Sequence, residues 1–532
     1  MNQLVQSNVA LSLYRRSARW LSIAPTVFLV FILVIPTTAI ILRGATIEGF
    51  RDVLNNSAIN RTLWFTAWQT LASTALTLIV ALPATFVLSR FAFTGNRALQ
   101  ALITVPFLLP TVVVGAAFLA VLPSKLHYTA TALIIAHAYF NLTVVVRIVG
   151  ARWEQLHPGI EQAARTLGAP PFTVFRTVTL PLLRSALATA SGVIALFAFT
   201  SYGIVRTLGG PGRATIETEI YTRSVLIGDM PGAIALSIVQ MIVLTALVWW
   251  WAKHHRGESV SPQISVAQRS PSTRGQIALV YGIAFTTAAV VIAPLSALAW
   301  RSLTRTTPGT TRFTLSGWRA VTSSTTLSAI STSTLFALCA MVIATVLGLM
   351  VALGVAYGSP RFVWLERISV LPLTVSAVTI GLGILITYDT APYDFRSAWM
   401  ITPLAHSLIA LPLVVRIVLP VVRQIPKGLQ SVASTLGATP LQTWLTVDRP
   451  LISRAIGASA AIAFAISIGE FGATSFLTRR SSETLPVTIS RLLSRPGDAL
   501  RTQAYALCVI IVVISMIALF LIDMLRPGRK TK

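Results

Sequence analysis

Apolar residues along this chain gather into runs long enough to cross a lipid bilayer, near 22–43, 63–89, 99–122, 129–150, 183–208 and 233–252. A polar stretch, KHHRGESVSPQISVAQRSPSTRGQ (253–276), interrupts them, and six more runs follow near 277–300, 326–357, 366–388, 398–420, 453–477 and 504–525. A crossing needs about 20 mostly apolar residues, so the pattern predicts an all-α polytopic membrane protein of about twelve spans. The Ser, Pro, Gly and Gln content of 253–276 marks a linker. The expected divisions are a tail at 1–20, a first half at 21–252, the linker, a second half at 277–526 and a tail at 527–532.

The two halves repeat one another. AHAYFNLTVVVRIV (136–149) returns as AHSLIALPLVVRIV (405–418), a shift of 269 residues. ARTLGAPP (164–171) is echoed by ASTLGATP (433–440), and TSYG (200–203) stands where the second half has GEFG (469–472). A unit with an even number of spans enters the membrane in the same sense twice. The repeat therefore predicts two parallel six-helix halves about a pseudo-two-fold axis, with a pathway between them.

Composition agrees with the pattern. The 532 residues are 54% hydrophobic and 11% charged with mean hydropathy +0.75, whereas soluble domains carry about 25% charged residues. The net charge of +26 raises a nucleic-acid reading, but the 42 Lys and Arg are scattered singly between apolar runs, and no nucleic-acid partner is expected. Membrane topology explains them better: placing both termini in the cytoplasm puts the larger share of basic residues inside. The strongest clusters are Arg15, Arg16 and Arg19, the 147–184 segment, and Arg526, Arg529, Lys530 and Lys532. No small-residue cleavage site follows the first run, which predicts an uncleaved first span. Cys339 and Cys508 lie inside apolar runs, which argues against a disulfide or a thiolate metal site.

In each half a long cytoplasmic segment, 151–182 and 421–452, separates the fourth and fifth spans. From Pro158 to Leu167 the residues are helix formers with an acid in the first turn; Gly168 suits a left-handed cap, and Pro170 and Pro171 stop the helix. The product is a short helix lying off the membrane, either seated in a groove on a partner or anchoring the chain at the interface.

Here the chain resembles the permease subunits of ABC importers, whose loop reads E-A-A, three residues, Gly, nine residues, then I-x-L-P. Gln162, Ala163 and Ala164 take the first places, Gly168 follows, and Val178, Leu180 and Pro181 close it; Gln162 replaces the family's Glu, with Glu161 beside it. The second copy has Ser431, Val432 and Ala433, then Gly437, then Val447, Arg449 and Pro450. It lacks the acid and carries Arg449 where Leu is usual, so the first loop is expected to hold its partner more tightly. The resemblance implies the type I importer permease fold in a cell (inner or plasma) membrane. It also implies a separate ATPase subunit in two copies, using ATP and Mg, and an extracytoplasmic solute-binding protein. No G-x-x-x-x-G-K-[ST] occurs; the nearest fragment is GRKT (528–531), so neither catalytic residues nor a cofactor are expected in this chain.

AHAYFNL (136–142), LGGPGRATIETEIY (208–221) and SIGEFGATSFL (467–477) are similar to thiamine-type permeases, and the ferric-iron branch shares the architecture. Both substrates carry cationic charge. Glu470 is the one carboxylate within its run, and a mid-membrane charge is costly enough that it should face a cavity or a partner; the alternative is a structural Glu near the outer end. Its counterpart is Ser201. Glu217 and Glu219 follow the outer GGPG (209–212) and either help dock the binding protein or belong to a solvated turn. His137 and His406 occupy matching places ten residues before Arg147 and Arg416. With no Cys, Asp or Glu in either run, the histidines are read as packing through hydrogen bonds and the arginines as anchors. A major-facilitator secondary transporter also has six plus six spans, but its signature loop would fall where this chain has SRFAFTGNRA (89–98). A passive channel or scaffold has no need of a duplicated loop helix.

Overall fold

The structure, a computed structural model, describes residues 20–44, 51, 53, 55–210, 212–254, 268–307, 310–358, 362–389, 398–479 and 482–525. The tails with their arginine and lysine clusters, and the linker through 267, lie outside the described residues.

Among the described residues ten helices are long and apolar enough to cross a bilayer, and two bent helix pairs bring the possible crossings to 12. The first half comprises α1 (Trp20–Arg43), α2 (Ser57–Arg90), the bent pair α3 (Asn96–Leu108) and α4 (Thr111–Val121), and α5 (Ala130–Gln155). It continues with α6 (Pro158–Thr166), α7 (Pro171–Phe199), α8 (Tyr202–Leu208), α9 (Ile216–Tyr221) and α10 (Met230–His254). The second half repeats this order as α11 (Arg274–Ser302), α12 (Ser324–Tyr357), the bent pair α13 (Val363–Thr374) and α14 (Ala377–Tyr388), and α15 (Ile401–Arg423). It closes with α16 (Lys427–Thr435), α17 (Leu441–Ile468), α18 (Thr474–Leu477), α19 (Leu485–Leu493) and α20 (Asp498–Leu525). A small antiparallel hairpin, β1 (Thr304–Thr307) with β2 (Thr310–Phe313), follows α11.

Three sequence expectations change. The runs 99–122 and 366–388 are not straight helices but turn by 106° and 97°. In the first, Pro110 forces Leu109 into an extended conformation (φ −74°, ψ 140°). In the second no proline stands at the break itself, which follows the tight turn Leu371–Thr374 containing Pro372: Ser376 is extended, and its hydroxyl accepts from the Val378 and Thr379 amides at 3.1 and 3.3 Å, opening a new helix. The runs 183–208 and 453–477 likewise each break near their ends, after Phe199 and after Ile468.

The third change concerns the loops. Helix α5 continues to Gln155 and α7 begins at Pro171, so both loops are shorter than 151–182 and 421–452 suggest. Pro181 and Pro450 do not end the loops but sit inside continuous helices. A helical proline lacks an amide and crowds the preceding turn. Both are accommodated by a widened turn just upstream, Phe175–Thr179 and Trp444–Asp448, where the Leu180 and Arg449 amides reach back five residues to Phe175 and Trp444.

Each half is built on a group of three helices, α2 with α5 and α7, and α12 with α15 and α17. Their leading helices are exchanged. Leu29, Ile32 and Leu33 of α1 are buried in the core of the second half, beside Ile384 and Ala405. Val291 of α11 is buried in the core of the first, where its carbonyl accepts from the Tyr139 hydroxyl at 3.1 Å. A third core spans both halves, joining Val112, Val113 and Ile216 to Val378, Phe471 and Leu485. Exposed Trp64, Leu71, Phe285, Val342 and Phe520 point outward along the spans, as lipid-facing side chains do.

Close backbone approach at this shared core has a measurable consequence. A Cβ on Gly203 would stand 2.1 Å from Thr111 Oγ1 and 2.9 Å from the Val112 nitrogen, whereas one on Gly282 would meet nothing within 4 Å. Gly203→Val is expected to lower stability by about 1–3 kcal/mol through overpacking, read as a lower midpoint in a thermal melt of the detergent-solubilised protein. Gly282→Ala should leave that midpoint unchanged.

Candidate functional site

The two loops present the same construction. In the first, His157 Nδ1 accepts from the Gly159 amide at 3.0 Å and opens α6, which carries Glu161 in its first turn. At its other end Gly168 adopts φ +87°, its amide bonds Arg165 O at 2.9 Å, and the Ala169 amide bonds Ala164 O at 3.2 Å. That is a left-handed glycine cap with both orphan carbonyls satisfied. Gly437 adopts φ +82°, with Ala438 bonded to Ala433 O at 3.0 Å. The two glycine caps are equivalent in geometry.

Of the motif residues, Gln162, Ala163, Gly168, Ser431 and Gly437 are exposed, while Ala164 and Ala433 are half-buried. Leu180 is half-buried and Pro181 and Pro450 are exposed at the start of the following span. The sequence reading missed the apolar residues around them. Ile160, Leu167 and Phe172 are exposed, and so are Leu429, Leu436 and Leu441, each 269 positions later. Matched pairs of exposed apolar side chains were a signal available in the repeat itself.

Glu161 does not face outward. Its Oε1 lies 2.7 Å from Arg90 Nη2 and accepts from Thr179 Oγ1 at 3.1 Å, while Arg90 Nη1 donates to Leu156 O at 2.8 Å. The pair ties the loop helix to the end of α2. The second loop, read as lacking its acid, has it elsewhere: Gln430 stands in the place of Glu161 and donates to Asp448 Oδ1 at 2.9 Å, and Asp448 stands in the place of Thr179. The carboxylate has changed sides of one contact. Residues emerging from the linker add to the first loop's foundation, since Arg269 pairs its backbone with Phe91 and sets its guanidinium over that ring, 4.9 Å from the centroid.

At the pseudo-two-fold axis the TSYG and GEFG corners meet. Tyr202 packs at a tilt of 38° against Phe471, its counterpart after the 269-residue shift, with centroids 4.9 Å apart. Tyr221 packs on Tyr202 and Phe476 at 5.6 and 5.5 Å, and the Arg206 guanidinium lies 5.4 Å from the Tyr221 centroid. Gly469 approaches Pro110 of the other half so closely that a Cβ would come within 2.8 Å.

Ser201 and Glu470 both lie at this junction and are buried. The carboxylate of Glu470 is occupied by its own corner: it accepts from the Ala473 and Thr474 amides at 2.8 and 2.9 Å, from the Thr474 hydroxyl, and faces His406 Nε2 at 3.2 Å. It caps the turn into α18. His406 Nδ1 bonds Ser467 Oγ at 2.7 Å, and His137 Nδ1 bonds Ser73 Oγ at 3.2 Å, so both histidines pack through hydrogen bonds. That His406 also meets a carboxylate was invisible from its own run, because Glu470 arrives from a different helix. Arg147 bonds Thr104 Oγ1 at 3.0 Å on the surface.

The reading of Glu217 requires a correction. The outer segment is not a solvated turn: Thr215 and Thr218 form a reciprocal cap, Ile216 and Ile220 are buried, and Glu217 is 0% exposed. Glu217 accepts from Gln240 Nε2 at 2.6 Å and from Ser376 Oγ, in the other half, at 2.9 Å. A residue so enclosed offers nothing to a docking protein. Glu219 is held by Arg223 at 2.8 Å, and Arg223 also pairs with Asp229 at 2.7 Å.

Comparison with known proteins agrees with this duplicated architecture. A family model described as "Binding-protein-dependent transport system inner membrane component" matches twice, over residues 78–256 and 344–531. The thiamine transport system permease protein ThiP of Brucella abortus is 26% identical over 517 residues, covering 91% of each chain. The protein of the same name from Escherichia coli is 24% identical over 493 residues, 88% of this chain and 89% of that one. The putative 2-aminoethylphosphonate transport system permease protein PhnV of Salmonella typhimurium is 29% identical over 195 residues, 36% of this chain and 72% of that one.

The changed position of the loop acid can be tested. Thr179→Asp places a second carboxylate against Glu161 and should loosen the first loop, seen as about fivefold faster tryptic cleavage after the exposed Arg165. Adding Glu161→Gln reproduces the Gln430 and Asp448 arrangement and should restore the original rate.

Proposed function

The chain belongs to the family of binding-protein-dependent transport system inner membrane components, and from that premise we propose that it is the permease of an ATP-driven importer of thiamine. As a member it is a multi-pass inner-membrane transport subunit. Thiamine is favoured by the reach of the likeness: relatives named for thiamine transport run alongside about nine-tenths of the chain, through both halves, whereas the aminoethylphosphonate relative matches little more than a third.

The observation that carries the coupling half of this reading is the pair of exposed, glycine-capped helices α6 and α16 with matched apolar side chains. A separate ATPase, one copy under each helix, would bury Leu167 and Leu436 in its grooves, with both termini and both loops on the cytoplasmic side. Each helix is tied near its first turn to a span of its own half, through the contact of Glu161 with Arg90 and that of Gln430 with Asp448. Movement of the ATPases then becomes movement of the halves about the axis where Tyr202 meets Phe471. A solute-binding protein delivers the cation from outside, and Ser201, whose hydroxyl has no hydrogen-bond partner among the described residues, is available to it as the halves part. Glu470 holds its corner together and meets the substrate only if that corner opens.

Proteoliposomes containing the chain with its ATPase and binding protein should accumulate labelled thiamine when supplied with internal ATP, and the purified chain alone should neither hydrolyse ATP nor accumulate it. Gly168→Val and Gly437→Val each force a β-branched residue into the left-handed region, a strain of about 1–2 kcal/mol. Both should lower co-purified ATPase by about tenfold. Loss in only one of them would mean that the loops grip unequally, and hydrolysis by the single chain would overturn the reading.

A further inference from the structure

Glu217 is a buried carboxylate with no cation beside it. Among the described residues no basic side chain pairs with it, and its hydrogen bonds come from two neutral groups, Gln240 Nε2 at 2.6 Å and Ser376 Oγ at 2.9 Å. Gln240 is itself held by Thr379 Oγ1 at 3.3 Å, so the cluster joins α9 and α10 of one half to the start of α14 of the other. Desolvation holds an enclosed carboxyl with no counter-charge in its neutral form, so Glu217 meets a cation as a carboxylate only once the site opens. Each oxygen takes a single bond here, leaving acceptor capacity on both, whereas three of the four contacts to the Glu470 carboxylate crowd its Oε2.

The cluster is absent from the place related to it by the repeat. Thr215 and Thr484 cap α9 and α19, which puts Pro486 where Glu217 stands. Pro110 and Ser376 cap α4 and α14, which puts Pro110 in the place of Ser376 and Val113 in that of Thr379. The fold builds the same junction from apolar residues on one side of the axis, so the scaffold does not require the carboxylate. Its surroundings complete a chemical pattern. Tyr221 is one helical turn from Glu217, on the same face of α9. It adjoins Tyr202, which packs at a tilt against Phe471, and its ring already lies under the Arg206 guanidinium. A carboxylate beside a cluster of aromatic rings is suited to a flat organic cation.

We propose that Glu217, with the rings of Tyr202, Tyr221 and Phe471, is the permease's own selector for a positively charged heteroaromatic substrate at the junction of the halves. The inference rests on the thiamine reading, whose thiazolium ring is such a cation. In the present conformation Glu217, Tyr202 and Phe471 are buried. The site therefore opens only when the halves separate and the bond from Ser376 to Glu217 breaks, leaving the carboxylate free to take the substrate's charge in its place.

The experiment uses the complete transporter, with its ATPase and binding protein, in proteoliposomes. Uptake of labelled thiamine is compared with uptake of its neutral isostere, in which a thiophene replaces the thiazolium. Glu217→Gln is expected to cut thiamine uptake by about tenfold, the effect of roughly 1.4 kcal/mol of lost attraction, and to change uptake of the neutral isostere less than twofold. The ratio between the two substrates is the reading that a purely structural role would not move. Parallel loss of both, or retention of thiamine uptake, overturns the inference while leaving the thiamine reading intact. Absence of thiamine uptake by the unaltered chain overturns both. If Glu217→Gln fails to assemble, Glu217→Asp keeps the charge and should keep the ratio at a reduced rate; loss of the ratio in that variant overturns the inference as well.

Discussion

A helix that breaks inside a bilayer leaves amides and carbonyls that lipid cannot satisfy, and this chain breaks its helices repeatedly. Everything central to the molecule follows from how those ends are capped. Ser376 closes the opening turn of α14, Glu470 closes that of α18, and Thr66 and Ser333 reach across from α2 and α12 to accept from the Ile216 and Leu485 amides at 3.1 and 2.6 Å. Non-helical backbone at membrane depth survives only where it is enclosed by protein. The breaks have therefore been gathered to the junction of the halves, where each is walled in by the other half.

That gathering makes the junction both closely packed and polar. Gly203 and Gly469 let backbones approach within side-chain distance, and Tyr202 and Phe471 seal the axis. Buried carboxylates sit close by, one satisfied by its own corner and one borrowing a donor from the opposite half. Small relative movements of the halves exchange these contacts as a set, because close-packed corners have few intermediate arrangements. The exchanged helices α1 and α11 brace the assembly from outside, each buried in the half to which it does not belong in sequence.

Pseudo-symmetry here is a property of the backbone more than of the charges. Cap for cap and bend for bend the halves agree, yet the bend of one comes from Pro110 and that of the other from Ser376. Glu161 is replaced by Gln430 while its partner Thr179 becomes Asp448, so one acid serves each contact from opposite sides. A contact constrains the pair, and either member can carry the charge. Where no contact requires an acid, as at Glu217 and Pro486, the halves are free to diverge, and it is there that function separate from folding is to be sought.

Much was determined by the sequence alone. Hydrophobic runs determined the all-α class and the approximate placing of the spans, because spanning length is set by bilayer thickness, but not the bends that leave ten spanning helices and two broken pairs among the described residues. The 269-residue repeat fixed the parallel halves, and the positions of Gly168 and Gly437 fixed both loop helices, since a left-handed cap is a local requirement that one residue type meets. Contacts between distant segments were decided only by the tertiary structure. Glu217 read as a solvated outer acid because its neighbours in sequence are polar; its burial depends on Ser376, 159 positions away. The contact of His406 with Glu470 joins two helices, and that of Gln430 with Asp448 joins residues 18 positions apart, so neither follows from the local pattern. Periodicity and capping act within a few residues, while the enclosure of a charge is set by whatever the fold brings against it.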